Sequence, residues 1–290
     1  MSTQITTAFV NQFSSNVSML SQQMGSLLRG AVDTESVTGE KAFFDQVGSV
    51  AAVAKQSRHS DTPILETPHS RRQVTLTTYE WADLIDDPDK IRMLIYPTSS
   101  YAKAAAAAMR RSMDDVIITA LGGTSYTGET GSTSVALPST QKFATSSQSD
   151  GLTIAKLLDA KKKLDLKDVD PSLKRYVVCG ATQISDLLNT TEVKNSDYNT
   201  VKALAMGQVD SFLGFKFIMS NRLSFDATNT DDRLIFAFTE DAIKLAIGKD
   251  ISARIDERAD KSYSTQVYYC MSIGATRTEE EKVVQIPCDE

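Results

Sequence analysis

Only two histidines, His59 and His69, and three cysteines, Cys179, Cys270 and Cys288, occur among 290 residues. The histidines stand near Asp61 and Glu66 but match no compact metal-ligand spacing, so two solvated imidazoles are the simpler reading. Three thiols form neither a closed disulfide framework nor paired zinc ligands, which leaves reduced core cysteines as the default. No Gly-Lys-Ser/Thr phosphate loop and no Gly-x-Ser-x-Gly nucleophile turn is present. Gly122, Gly123, Gly128 and Gly131 cluster, yet they follow a helical pattern instead of a strand and carry Glu129 where phosphate would be repelled. Cys179 closes an apolar strand with no base beside it in the sequence. Asp83, Asp86, Asp87 and Asp89 lack the calcium-loop spacing and read as capping and solvated charge. The expectation is a protein with no catalytic residue, no cofactor and no metal. No apolar run approaches the ~20 residues that span a bilayer, and no signal-peptide pattern follows Met1, so cytoplasmic folding without a membrane is expected. A net charge of −6 argues against a general nucleic-acid binder, because a phosphate lattice repels such a surface.

What is present is a long alanine-rich helix. Residues 98–121 follow Pro97, offer Thr98 and Ser99 as caps, and end at Gly122 and Gly123. At about 1.5 Å per residue the segment extends roughly 35 Å, enough to span a subunit. Met109, Met113, Val116, Ile117 and Ala120 share one face. Lys103, Arg110, Arg111, Asp114 and Asp115 lie across from them on a face that reads as wet. Each arginine has an aspartate four residues on, so local ion pairs are expected there. Upstream, Val10, Phe13, Val17, Leu20, Met24 and Leu27 form an apolar helical seam that needs a cover, from the same core or from a neighbour. Between Val50 and Tyr79, Pro63 and Pro68 exclude a helix and QVTLT alternates at Gln73–Thr77, which predicts a long two-stranded excursion. An isolated hairpin is marginal in water, so it should lie on another surface. Arg71 and Arg72 have no partner near them in sequence and could pair with Asp86, Asp87 and Asp89 of an adjacent copy.

Downstream, residues 122–150 read as a Gly/Ser/Thr-rich loop or irregular hairpin. Helices follow at 152–164, 181–188 and 201–206, with a buried strand at 175–179, a strand–corner–strand around Gly214, and a strand-rich ending. In this order the parts resemble the major capsid proteins of tailed bacteriophages with the Hong Kong 97-like fold. The residues that carry the likeness are SLLRGAV near Ser26, RRQVTL at Arg71–Leu76, AMRRSMDDVI in the long helix, KALAMGQVDSFLGFKFIMSN at Lys202–Asn221, and the closing DKSYSTQVYYCMSIGATR.

The resemblance implies an α+β fold with an N-terminal arm (1–49), an extended E-loop (50–80) and a P-domain (81–149) holding the spine helix 98–121. It further implies an A-domain (150–233) and a second P-domain part with the C-terminal strands (234–290). It implies a virion subunit that self-assembles through hexamers and pentamers into an icosahedral shell around double-stranded DNA. Inter-subunit contacts then fall to Val10, Phe13, Val17, Leu20, Arg71, Arg72, Asp86, Asp87, Asp89, Arg110 and Arg111. Partners implied are a separate scaffolding protein, portal and decoration proteins, and DNA held without sequence specificity on the inner face, with assembly in the host cytoplasm. A bacterial encapsulin shell shares the fold and is the alternative; the hairpin and apolar arm resemble the phage type more.

Overall fold

The computed structural model describes residues 22–55, 57–58, 61–62, 64–86, 98–143, 151–189, 211–227 and 231–290. The expected contacts Val10, Phe13, Val17, Leu20, Asp87 and Asp89, the histidine His59 and the expected helix at 201–206 lie outside these residues.

The spine helix α1 runs Thr98–Gly122. Its stripe Ala105, Met109, Met113, Ile117 and Leu121 is buried in the main core. That stripe packs on a four-stranded sheet ordered β1 (Asp33–Ser36), β11 (Ile243–Arg258), β12 (Ser264–Arg277) and β4 (Thr77–Ile85). Along β12 the alternate residues Val267, Tyr269, Met271 and Ile273 are buried and join the core cluster of α1, as a two-residue period requires. Beyond the shifts in register at Ile247/Lys249 and Lys249/Ser252, β11 continues as the exposed edge of this sheet, while β12 stays between it and β4.

A second sheet has the order β13 (Val283–Asp289), β10 (Asp232–Thr239), β7 (Arg175–Cys179), β9 (Phe215–Met219) and β8 (Ser211–Phe212). The all-buried RYVVC of β7 is its centre, parallel to β9 and antiparallel to β10. Leu213 (φ 55) and Gly214 (φ 84) make the tight corner between β8 and β9, the geometry of a two-residue hairpin turn. Helices α2 (Ile154–Asp165) and α3 (Ala181–Asn189) bury Leu157, Ala160, Leu164 and Leu187 in the same core. Helix α2 starts on Thr153, whose hydroxyl accepts from the amide of Lys156 at 3.3 Å.

The third sheet, β2 (Lys41–Val47), β3 (His69–Thr75), β5 (Ser125–Thr127) and β6 (Thr133–Val135), corrects the reading of the excursion. Strand β3 pairs with β2 in antiparallel register from Lys41↔Thr75 to Val47↔His69, whereas β4 pairs with β12. The two arms of the hairpin are therefore 41–47 and 69–75, and the described residues from 48 to 68 carry no strand. The alternation QVTLT runs through a change of sheet at Leu76, because the backbone stays extended while its partner changes. Residues 125–135 form the irregular hairpin expected after the spine helix.

Candidate assembly site

The root of the β2–β3 hairpin is fixed by one carboxylate between two guanidiniums. Arg72 is delivered by β3 and donates to Thr278 O (2.8 Å) and Glu280 Oε2 (2.7 Å). Arg277, the last residue of β12, is fully buried and donates to the carbonyls of Leu121 (3.0 Å), Gly123 (2.8 Å) and Val135 (3.2 Å). Those carbonyls belong to the end of α1 and to β6. Glu280 Oε1 stands 3.8 Å from Arg277 Nε, an ion pair too long for a hydrogen bond. Burial pulls the Arg277 pKa below its ordinary value while Glu280 opposes this, and a guanidinium stays charged at any physiological pH. Gln46 of β2 donates to Thr278 O at 2.9 Å towards one end of the ladder, and Leu76 N donates to Glu40 O at 2.9 Å beyond the other, so the paired arms are tied along their length.

Two glycines let the root sit this close. A Cβ on Gly274 would lie 2.4 Å from Thr75 O, a backbone atom that cannot swing away. Gly131 has φ +68 and touches Gln73 of β3. Away from the root, apolar side chains face solvent: Val47 is 67% exposed and Ile64 94% exposed, with Val50, Val53 and Leu65 also uncovered.

The spine helix differs from the sequence reading on its supposedly wet face. Asp114 is fully buried and pairs with neither arginine. It accepts from Gln23 Nε2 (2.5 Å), Ser26 Oγ (2.6 Å), Leu27 N (3.1 Å) and Leu28 N (3.2 Å). Arg110 donates to Met24 O at 3.1 Å, and Arg111 donates to Gln22 Oε1 (2.9 Å) and Gln23 O (3.0 Å). Asp115 takes a two-pronged contact from Arg222, at 2.6 and 2.5 Å, which ties the helix to the turn after β9. The expected i,i+4 pairs are thus replaced by long-range ones, because the N-terminal segment covers this helical turn.

Arg71 and Arg72 do have partners in their own chain. Arg71 meets Asp45 across the β2–β3 ladder at 3.0 Å and lies over the Phe43 ring. Arg72 is buried against Glu280, which removes it from any docking surface. Asp86 accepts from Ser264 Oγ at the start of β12.

The thiols divide by environment. All three are buried, Cys179 and Cys288 completely and Cys270 at 6% exposure, and burial pushes Cys179 and Cys288 up to about 12. Cys270 lies 3.0 Å from Lys249 Nζ and 3.2 Å from Ser252 Oγ, and hydrogen bonding from Lys249 lowers its pKa. Among the described residues no cluster of three His, Cys, Asp or Glu side chains is placed to hold a metal, and no helix is long and apolar enough to cross a membrane. Sequence reasoning missed Glu280, Arg277 and the role of Asp114. Its available signal was a single charged residue ending the apolar run YYCMSIGAT.

A phage capsid protein family model matches residues 5–290 of the chain. A search of curated protein sequences finds no match. Among solved structures, the capsid of Cyanophage P-SCSP1u superposes with a TM-score of 0.73 at 15% identity, covering 96% of this chain and 92% of that one. A chain of Mycobacterium phage Che8 gives 0.69 at 18% identity, covering 96% and 97%. The capsid of a native GTA particle gives 0.70 at 10% identity, covering 97% and 95%. At these identities the likeness is one of fold: the α+β, Hong Kong 97-like architecture.

Proposed function

The chain belongs to the phage capsid protein family, and on that premise we propose how this virion shell subunit assembles. Hexamers and pentamers form around the segment 150–233, and the N-terminal arm and the hairpin reach across to neighbouring subunits. The carrying observation is the hairpin, rigidly rooted through Arg72 and Glu280 yet leaving Val47, Val50 and Ile64 in solvent. Rigid roots with apolar ends suit a ribbon that must find one place on a second copy. Shell contacts work best when each is weak, about 4 kcal/mol or roughly millimolar, so that misplaced subunits leave. Several per subunit then make the closed particle persistent. Heterologous contacts that close by rotation give rings, as five- and six-fold capsomers require.

In this reading Arg71, with its side chain 39% exposed, and Asp86 remain inter-subunit candidates, while Arg72 does not. Arg110 and Arg111 act through the arm they hold. A separate scaffolding protein, portal and decoration proteins are the further partners, assembly takes place in the host cytoplasm, and double-stranded DNA lies inside without sequence-specific contacts. A chain of net charge −6 would avoid sticking to packaged DNA.

The test is electron microscopy of the purified protein, alone and co-expressed with its genomic neighbour. Capsomers or closed icosahedral shells are expected. A monomer that stays compact and solitary at high concentration contradicts the proposal. Particles filled with protein cargo and lacking genomic DNA favour the encapsulin-type alternative.

A further inference from the structure

Residues 22–27 are attached to the subunit in an unusual way. They bury no apolar side chain: Met24 is 46% and Leu27 44% exposed, while the polar Gln23 and Ser26 turn inward. The next residue, Leu28, is fully buried in the main core. After it, Arg29 makes a two-pronged contact with Asp250 of β11 at 2.8 and 3.3 Å. Leu28 is therefore a fixed point, and residues 22–27 before it are held by polar contacts from one turn of the spine helix.

Asp114 is the centre of that turn. The amides of Leu27 and Leu28 stand at the entry to the short 3-10 turn Arg29–Ala31, where backbone donors have no partner within their own element. Asp114 reaches them from another element and so acts as a remote N-cap, while Ser26 Oγ also accepts from Arg29 N at 3.2 Å. The carboxylate owes its burial to the segment lying over it. Once residues 22–27 leave, water replaces the Gln23, Ser26 and Leu27 donors while the Leu28 amide stays, so no unpaired buried charge remains to oppose release.

We propose that Asp114, with Arg110 and Arg111, is a releasable clamp: residues 22–27 either lie on the spine helix or swing about Leu28, which sets where the preceding arm leaves the subunit. In the docked state the clamp turns Met24 and Leu27 outward, the last two members of the apolar seam that begins at Val10. These two side chains thereby point away from the subunit's own core. This use of the clamp in assembly rests on the capsid reading above, whereas its existence does not.

Hydrogen–deuterium exchange on the unassembled full chain tests the clamp directly. Wild type is compared with Asp114→Ala and, from the arm side, with the double variant Gln23→Ala, Ser26→Ala, which leaves the helix untouched. The peptide covering 22–29 should exchange at least about ten-fold faster in both variants, with residues 102–121 unchanged. Should Asp114→Ala fail to fold, the arm-side variant decides. Wild-type-like protection of 22–29 in a folded variant overturns the clamp, and so does a wild type whose 22–29 exchanges like free chain. In co-expression, variants that have lost this protection should give normal capsomers but malformed or open shells. Closed, regular shells from such a variant overturn the positioning role while leaving the capsid reading intact. A wild type that forms no shells counts against the capsid reading, and the exchange result still decides the clamp.

Discussion

Glu280→Ala should be the most damaging single substitution at the hairpin root. The carboxylate sits 2.7 Å from Arg72 and 3.8 Å from Arg277, with side-chain exposures of 14%, 10% and 0% for the three residues in that order. Removing it leaves two guanidiniums facing each other in a nearly dry site. Breaking a buried pair by deleting one partner costs about 3–5 kcal/mol. Both arginines keep carbonyl partners, Thr278 for Arg72 and three carbonyls for Arg277, so the lower end of that range, about 3 kcal/mol, is expected. In a protein of this size that lowers Tm by roughly 6–12 °C. Glu280→Gln keeps the shape and an acceptor for Arg72 but not the charge, and should cost about 1–2 kcal/mol. The assay is urea denaturation of unassembled protein followed by circular dichroism, with exchange of the peptides covering 69–75 and 121–135 as the local readout. Arg72→Met combined with Glu280→Met should recover part of the loss, since the Arg72 guanidinium is then no longer left uncompensated beside Arg277, which keeps its three carbonyl partners. A Glu280→Ala protein within about 0.5 kcal/mol of wild type would refute the argument.

Gly274→Ala should destabilise by about 2–3 kcal/mol, because its Cβ meets the Thr75 carbonyl, and Gly131→Ala by at least about 2 kcal/mol, because φ +68 is penalised and the new Cβ would stand 2.9 Å from the Cβ of Gln73; thermal unfolding of each variant checks this. In native protein at pH 8, iodoacetamide should modify Cys270 well before Cys179 or Cys288. A lowered pKa enlarges the thiolate fraction at a given pH, and a pKa of about 12 nearly abolishes it. Lys249→Met should slow that reaction, and equal labelling of all three thiols by mass spectrometry contradicts the assignment. Asp250 is held below the usual carboxylate range, chiefly by hydrogen bonding from Arg29. Its contribution is therefore present above the unfolded pKa and lost as pH falls through the folded one. With side chains 41% and 53% exposed, screening limits Asp250→Asn to about 0.5 kcal/mol at pH 7. The difference from wild type should shrink as the pH falls and vanish once it lies below the lowered pKa of the folded Asp250 carboxyl, in paired denaturation curves.

The sequence spoke clearly where structure depends on near neighbours. Met109, Met113 and Ile117 set the buried stripe of the spine helix through spacing alone, and the apolar RYVVC announced a central strand without naming its partners. Pairing was harder. Phe43 and Phe44 are adjacent, one outward over Arg71 and one buried against Val74, so KAFFDQV hides its two-residue period and β2 went unread as the true partner of β3. The alternation through Leu76 was equally silent about the change of sheet, because strand propensity records an extended backbone and not which ladder it joins.

The polar residues failed for a stronger reason. Asp114 reads as solvated on any helical wheel, since a wheel contains only the helix; its burial is created by Gln23–Leu28, 86 to 91 residues away. Arg72 and Glu280 are 208 residues apart, and Arg277 reaches Leu121 across 156. A charge is tolerated in such places only when distant chain segments arrive together with matching donors and acceptors. Local pattern therefore labels these residues surface, although they hold the root of the hairpin and the foot of the arm. Those are the two points that fix the direction of the hairpin and of residues 22–27. Polar contacts suit the task better than apolar ones, because they fix direction and can be undone in water without exposing a greasy face.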